Sequence, residues 1–126
     1  MAKFVPQIPG LGPDNLPFSP IVEANGFVFL AGQIGDKPGE TGPVTGGIKA
    51  ETKQTLENVG RLLRATGLDY VDVVKCTVYL TDMADFAAMN TVYAGFFPKN
   101  PPTRATVGVT SLALGAKIEI EVLATR

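Results

Sequence analysis

Arg104, Glu119 and Glu121 are the residues whose type and spacing could do chemistry. Alternation along residues 117–124 sets Lys117, Glu119 and Glu121 on one side of a strand and Ile118, Ile120 and Val122 on the other. In the stretch before it, Arg104, Thr106 and Gly108 share a side. If these two strands pair, an arginine and two carboxylates lie together on one face. Such a set suits a bidentate clamp for a substrate carboxylate, with a glutamate holding a water. On the residues alone, a plain salt bridge at a surface or interface is the favoured reading of the same set.

The sequence contains no His. A Ser-His-Asp triad, a Cys-His pair and imidazole metal ligands are therefore excluded within one chain. A single Cys removes the usual zinc and iron-sulfur ligands as well, so no metal is expected. Acid–base work falls to Asp, Glu, Lys, Tyr, Cys or water. Cys76 alternates with Val74 and Val78 and reads as a small buried thiol. Asn90, one turn from Phe86 and beside Tyr93, reads as a surface helix residue. Gly32-Gln33-Ile34-Gly35 follows a strand but lacks a dinucleotide or Walker pattern, so Gly32 meets a backbone requirement rather than binding phosphate.

The elements that must position these residues fit one domain over residues 1–126. Apolar residues make up 45% and charged residues 18%, a globular balance. Eleven Lys and Arg against twelve Asp and Glu leave a formal charge of −1, which argues against a nucleic-acid partner and a polybasic membrane binder. The longest apolar run, Phe27 to Ala31, is too short to cross a bilayer, and the opening residues carry no apolar block of a secretory signal. With one Cys and no internal disulfide, a cytoplasmic location is the default.

Pro6, Pro9, Pro13, Pro17 and Pro20 make the first 20 residues extended, looped or an edge strand. Ile21 to Ala24 and Phe27 to Ala31 read as strands joined by an Asn25-Gly26 hairpin turn. The glycines and prolines of residues 35–47 make a loop. Leu56, Val59, Leu62 and Leu63 form a helical stripe, with Lys53-Glu57 and Glu57-Arg61 as i, i+4 pairs. Gly67-Leu68 reads as a Schellman stop, and Gly60 inside the helix implies close packing. Val74, Cys76, Val78 and Leu80 then face one way in a strand, and Val73, Lys75, Thr77 and Tyr79 the other. Asp82 caps a second helix with the stripe Phe86, Met89, Tyr93 and Phe96, ended by Pro98. Pro101-Pro102 introduces strands over 104–109 and 117–124, turned by residues 111–116. This order gives an α+β fold: a mixed β-sheet with two α-helices packed on one face. The other face, left uncovered, requires a partner, so oligomerisation is expected.

Several strings carry a resemblance. Ala31-Gly32-Gln33-Ile34, Glu57-Asn58-Val59, Phe86 to Phe97, and Pro102-Thr103-Arg104-Ala105 followed by Gly115-Ala116-Lys117-Ile118-Glu119-Ile120-Glu121 are similar to the Rid (YjgF-type) imine/enamine deaminase family, over nearly the whole chain. The resemblance implies a homotrimer with a chorismate-mutase-like fold and ligand clefts between subunits. It also implies hydrolysis of short-lived 2-imino acids such as 2-iminobutanoate and 2-iminopropanoate to 2-oxo acids, without a cofactor. By position, Arg104 matches the arginine that binds the substrate carboxylate, Glu119 the glutamate of the attacking water, and Asn90 a cleft asparagine. Three positions depart: Phe18 stands for a tyrosine, Ala31 (before Gly32) for a serine, and Thr106 for a cysteine. Phe18, Ala31, Gly32 and Thr106 are thereby expected to border the substrate; a hydrogen bond between Thr106 and the substrate is a separate expectation, from its hydroxyl rather than from the resemblance. The departures remove polar groups around an intact clamp, which favours, as the alternative, a non-catalytic trimer binding 2-oxo acids. A ribonuclease or translation inhibitor fits a near-neutral chain poorly.

Overall fold

A computed structural model describes residues 3–10 and 16–126; Pro13 lies outside them. Strands β1 (Ile21–Ala24) and β2 (Phe27–Leu30) form the expected hairpin. Asn25 and Gly26 both take positive φ, 52° and 80°, as a two-residue turn that follows the strand twist requires. Helix α1 runs Gly47–Ala65, then β3 spans Val73–Leu80, α2 Phe86–Phe96, β4 Thr103–Gly108 and β5 Ile118–Thr125. The sheet order is β1-β2-β5-β3-β4, with β3 and β4 parallel and the other pairs antiparallel.

Both helices pack into one core. Leu56, Val59, Leu62 and Leu63 of α1 and Met89 and Tyr93 of α2 join Cys76, Val78, Leu80, Ile118, Ile120 and Val122 of the sheet. The Schellman stop closes as read: the Leu68 N–H donates to the Leu63 carbonyl at 2.9 Å and the Gly67 N–H to Arg64 at 3.1 Å. Gly60 is required by space, because the Tyr70 hydroxyl, donating to the Leu56 carbonyl at 2.6 Å, fills the place a Cβ would take.

Four details differ from the sequence reading. β2 ends at Leu30, because four steps from Phe29 to Gln33 oppose three from Leu123 to Ile120 and the extra residue bulges the chain at Ala31 and Gly32. Val73, not Val74, belongs to the core, because a bulge against β5 between Val73 and Lys75 turns Val74 outward. Asp82 caps a 3-10 turn (Met83–Asp85) by accepting from the Ala84 N–H at 2.9 Å, and α2 begins only after it. Finally, β4 and β5 are not neighbours, since β3 lies between them.

Candidate active site

Strand register decides where Arg104 points. In the β3–β4 pair, Arg104 aligns with Cys76 and Thr106 with Val78, and aligned residues share a face. Cys76 and Val78 are buried under the helices, so Arg104 and Thr106 lie on the helix side at the sheet edge. Above them runs a stripe of α2, Phe86, Asn90 and Tyr93, at i, i+4 and i+7. The Arg104 guanidinium carbon stands 4.7 Å from the Tyr93 ring centroid and 5.5 Å from that of Phe86. Asn90 sits between these two contacts on the same stripe. Among the described residues Arg104 makes no ion pair. Three buried polar atoms here have no partner: Asn90 Oδ1, the Tyr93 hydroxyl and Thr106 Oγ1. Burial pushes the Tyr93 phenol up, with the adjoining Cys76 adding to the shift, and burial raises the Cys76 thiol too. Both stay protonated near neutrality. A cation without an ion-pair partner, on a face that also holds unsatisfied donors and acceptors, has the chemistry to take a polar anion.

Glu119 belongs to the other side of the sheet. It aligns with Tyr79, as Glu121 aligns with Thr77, and this row faces away from the helices. The bulge at Ala31 and Gly32 brings backbone against the Glu119 carboxylate: a Cβ on Gly32 would stand 3.0 Å from Glu119 Cδ and overlap Oε2. Gly32 is thus required by close approach rather than by its own dihedral angles. Burial, and then the charge of Glu121, raise the Glu119 carboxyl above its ordinary 4.5. The Glu121 Oε1 accepts from the Tyr79 hydroxyl at 3.3 Å. Phe18, Val22, Phe29, Ala31, Gly32 and Glu119 line a cleft of about 450 Å³. Leu30 and Ser19 complete the lining, and Ser19 and Glu119 are its polar side chains.

The expectation that Arg104 and the two glutamates share one face is therefore corrected. It assumed that β4 pairs with β5. Across the intervening β3, Arg104 lines up through Cys76 with Val122, whereas Glu119 lines up through Tyr79 with Val107. Asn90 and Thr106 gather with Arg104; Phe18, Ala31 and Gly32 gather with Glu119. One chain holds the two groups on opposite faces of its sheet.

Two contributors escaped the sequence reading. Tyr93 was read only as core, although its ring lies under the guanidinium. Asn58 holds the loop after Gly32: its Nδ2 donates to the Ile34 carbonyl at 2.9 Å and the Asp36 carbonyl at 2.7 Å. Its signal was available, an amide on the buried side of α1 three residues after Thr55 and four before Leu62. Among the described residues no three His, Cys, Asp or Glu side chains converge as a metal site would need.

Residues 13–126 match the family model described as Endoribonuclease L-PSP. Over 110 residues the chain is 47% identical to the Reactive Intermediate Deaminase A, chloroplastic, of Arabidopsis thaliana, covering 86% of this chain and 58% of that protein's length. The chain belongs to the Rid family. Within that family it is 42% identical over 108 residues to the Homo sapiens 2-iminobutanoate/2-iminopropanoate deaminase, covering 86% of this chain and 79% of the other. Solved Rid-like structures share the fold. Yeast Mmf1 gives a TM-score of 0.91 at 34% identity over 99% of both chains. E. coli TdcF with bound serine gives 0.85 at 35% identity over 95% of this chain and 96% of that one. No helix among the described residues is long and apolar enough to cross a membrane.

Proposed function

We propose that this chain hydrolyses 2-imino acids to 2-oxo acids and ammonia, at sites assembled between copies of itself in a homotrimer. One observation carries the reading: an arginine without an ion-pair partner and a glutamate of raised pKa occupy opposite faces of one sheet. Neither completes a site alone. The exposed Phe27, Phe29 and Val107 give the open face reason to meet another copy. Relatives named 2-iminobutanoate/2-iminopropanoate deaminase support the reaction class, and the serine named for TdcF is a small carboxylate-bearing ligand.

In this mechanism Arg104 forms two parallel hydrogen bonds to the substrate carboxylate, a fork that lysine lacks. Asn90 and Thr106 offer their unpartnered atoms beside it. The protonated imine is already electrophilic, so positioning does most of the work. Water adds to the imine carbon while Glu119 takes its proton and passes it to the nitrogen. The C–N bond then breaks as C=O forms, and the hydroxyl proton leaves with ammonia as ammonium. The raised Glu119 carboxyl suits this step, because a carboxylate whose pKa lies closer to neutrality takes the proton from water more readily. No metal or cofactor takes part. Cytoplasmic residence, for which the lone buried Cys76 is the support, completes the proposal.

The apolar lining by Phe18 and Ala31 favours a second reading, a trimer that captures 2-oxo acids without turnover. RNA cleavage has less support, because a net charge of −1 gives no phosphate footprint. Mixed assembly tests the proposal. Arg104→Lys and Glu119→Gln trimers, each impaired in a dehydratase-coupled imine assay, should regain turnover after being unfolded together and refolded, since every mixed ring rebuilds one intact site. Absence of any regain in verified mixed trimers would refute the intersubunit site. Turnover no faster than buffer in wild type, with 2-oxobutanoate still bound, would leave the binding protein.

A further inference from the structure

Arg104 is a half-buried cation, and such a charge is costly unless something compensates it. The nearest compensation is aromatic. Phe86 and Tyr93 are seven residues apart on α2, roughly 10 Å along the helix axis, which is about the span of the two contacts of 5.5 Å and 4.7 Å that the guanidinium makes with them. The cation thus lies between the two rings. We propose that Tyr93 and Phe86 are positioning residues of the carboxylate clamp, holding the guanidinium by their ring faces while its N–H donors stay available to the ligand. This deepens the reading of Arg104 as the carboxylate anchor and rests on it.

The choice of rings over a carboxylate has a physical reason. A ring face attracts a cation through its quadrupole and supplies no lone pair that would occupy the N–H fork. A protein carboxylate in the same place would hold the arginine but would also take the hydrogen bonds that the substrate needs. The holders are themselves held. Tyr93, 6% exposed, packs against buried Phe97 with ring centroids 4.8 Å apart, and Phe97 meets Tyr70 at 5.9 Å. Phe86 is fixed at the first residue of α2 by the turn that Asp82 caps. The unpartnered Asn90 Oδ1 belongs to the same α2 stripe, between Phe86 and Tyr93, and the unpartnered Thr106 Oγ1 lies two residues along β4 from Arg104 on the same face.

Ring electronics separate positioning from packing. Phe86 is 37% exposed, so its replacement leaves the core intact. Phenylalanine carrying one, two or three ring fluorines at position 86 keeps its shape while its face loses negative potential. Calorimetric affinity for 2-oxobutanoate should fall with each fluorine, by about 2–5-fold in all, with melting temperature and oligomeric state unchanged. Phe86→Leu should lie at the weak end and Phe86→Trp should bind at least as tightly as wild type. The buried ring should matter more: about 10–30-fold weaker binding for Tyr93→Leu, restored by Tyr93→Phe. If wild type binds and the fluorine series is flat, positioning by the rings is wrong while the carboxylate anchor stands. If wild type does not bind 2-oxobutanoate, the anchor reading falls, and the guanidinium NMR signals of the ligand-free protein decide the remainder. Ring-shifted, slowly rotating Arg104 signals that are released along the same series uphold positioning; free, unshifted signals overturn it.

Discussion

The two faces of the sheet are made by the same strands and meet different ends. Under the helices, Cys76, Val78, Leu80, Ile118 and Ile120 are all 0% exposed. On the opposite face Phe27, Phe29 and Val107 remain 43%, 46% and 41% exposed. Alternation supplies apolar side chains to both faces, but a chain with two helices on one side covers only that side. The chemistry divides in the same way, with the cation on the covered face and the carboxylate on the open one. Had Arg104 and Glu119 shared a face within reach they would have paired, and under the proposed function neither the fork nor the base would then be available to a ligand.

The contrast between faces is broken most severely from the covered side. Ile120→Ala should cost about 2–5 kcal/mol of folding stability in a denaturant melt, whereas Phe29→Ser should leave the chain folded and dissociate the proposed trimer in sedimentation. A Phe29→Ser chain that stays trimeric would remove the open face from the interface. Next is the contact that places the carboxylate. Gly32→Ala drives a methyl into Glu119 and should lower imine turnover by about 100-fold, the scale of a 1 Å displacement, with the melting temperature little changed.

Arg104→Lys keeps the charge and loses the fork, so calorimetry should register a loss of about 1.5–3 kcal/mol in 2-oxobutanoate binding. Unchanged affinity would show that the ligand carboxylate lies elsewhere. The smallest effect sharpens the open face. The Glu119 carboxyl is raised above 4.5 in the fold, so the folded chain holds the proton more tightly than the unfolded one. Its contribution to stability is therefore lost as pH climbs from 4.5 through the raised value, and stays lost at neutrality. Glu119→Gln should accordingly melt higher than wild type at about pH 7, and the difference should vanish near pH 3.5, below the unfolded carboxyl pKa. A Gln variant that melts lower at neutrality would contradict this sign.

What could be read from sequence was what neighbours along the chain decide. The Asn25-Gly26 turn, the Leu56-Val59-Leu63 stripe and the Gly67-Leu68 stop each depend on residues within a turn or two, and each is found where the spacing put it. Val74 was misplaced because a bulge on β3 is a response to β5, fifty residues away in sequence on the order of magnitude that alternation cannot register. Tyr93 was legible as an apolar stripe residue, but its contact with Arg104 needs β4 to lie beneath α2. Arg104, Thr106 and Glu119 stand out by residue type and alternation, whereas Phe18, Ala31, Gly32 and Asn90 join them only through the family resemblance, which carries no information about which of them share a face.

By itself the sequence determined the element types, the buried stripe of the first helix and the absence of histidine, all of which follow from composition and from periods of two and 3.6; of the second helix's stripe only Met89 and Tyr93 are buried, and Phe86 is left at the surface. The tertiary structure alone decided that β3 stands between β4 and β5 and that Arg104 and Glu119 therefore point apart. The physical reason is that side-chain alternation is a local property, whereas strand order and register are set by which apolar faces find each other across the whole core, and a shift of one residue in register moves a side chain from one face of the sheet to the other.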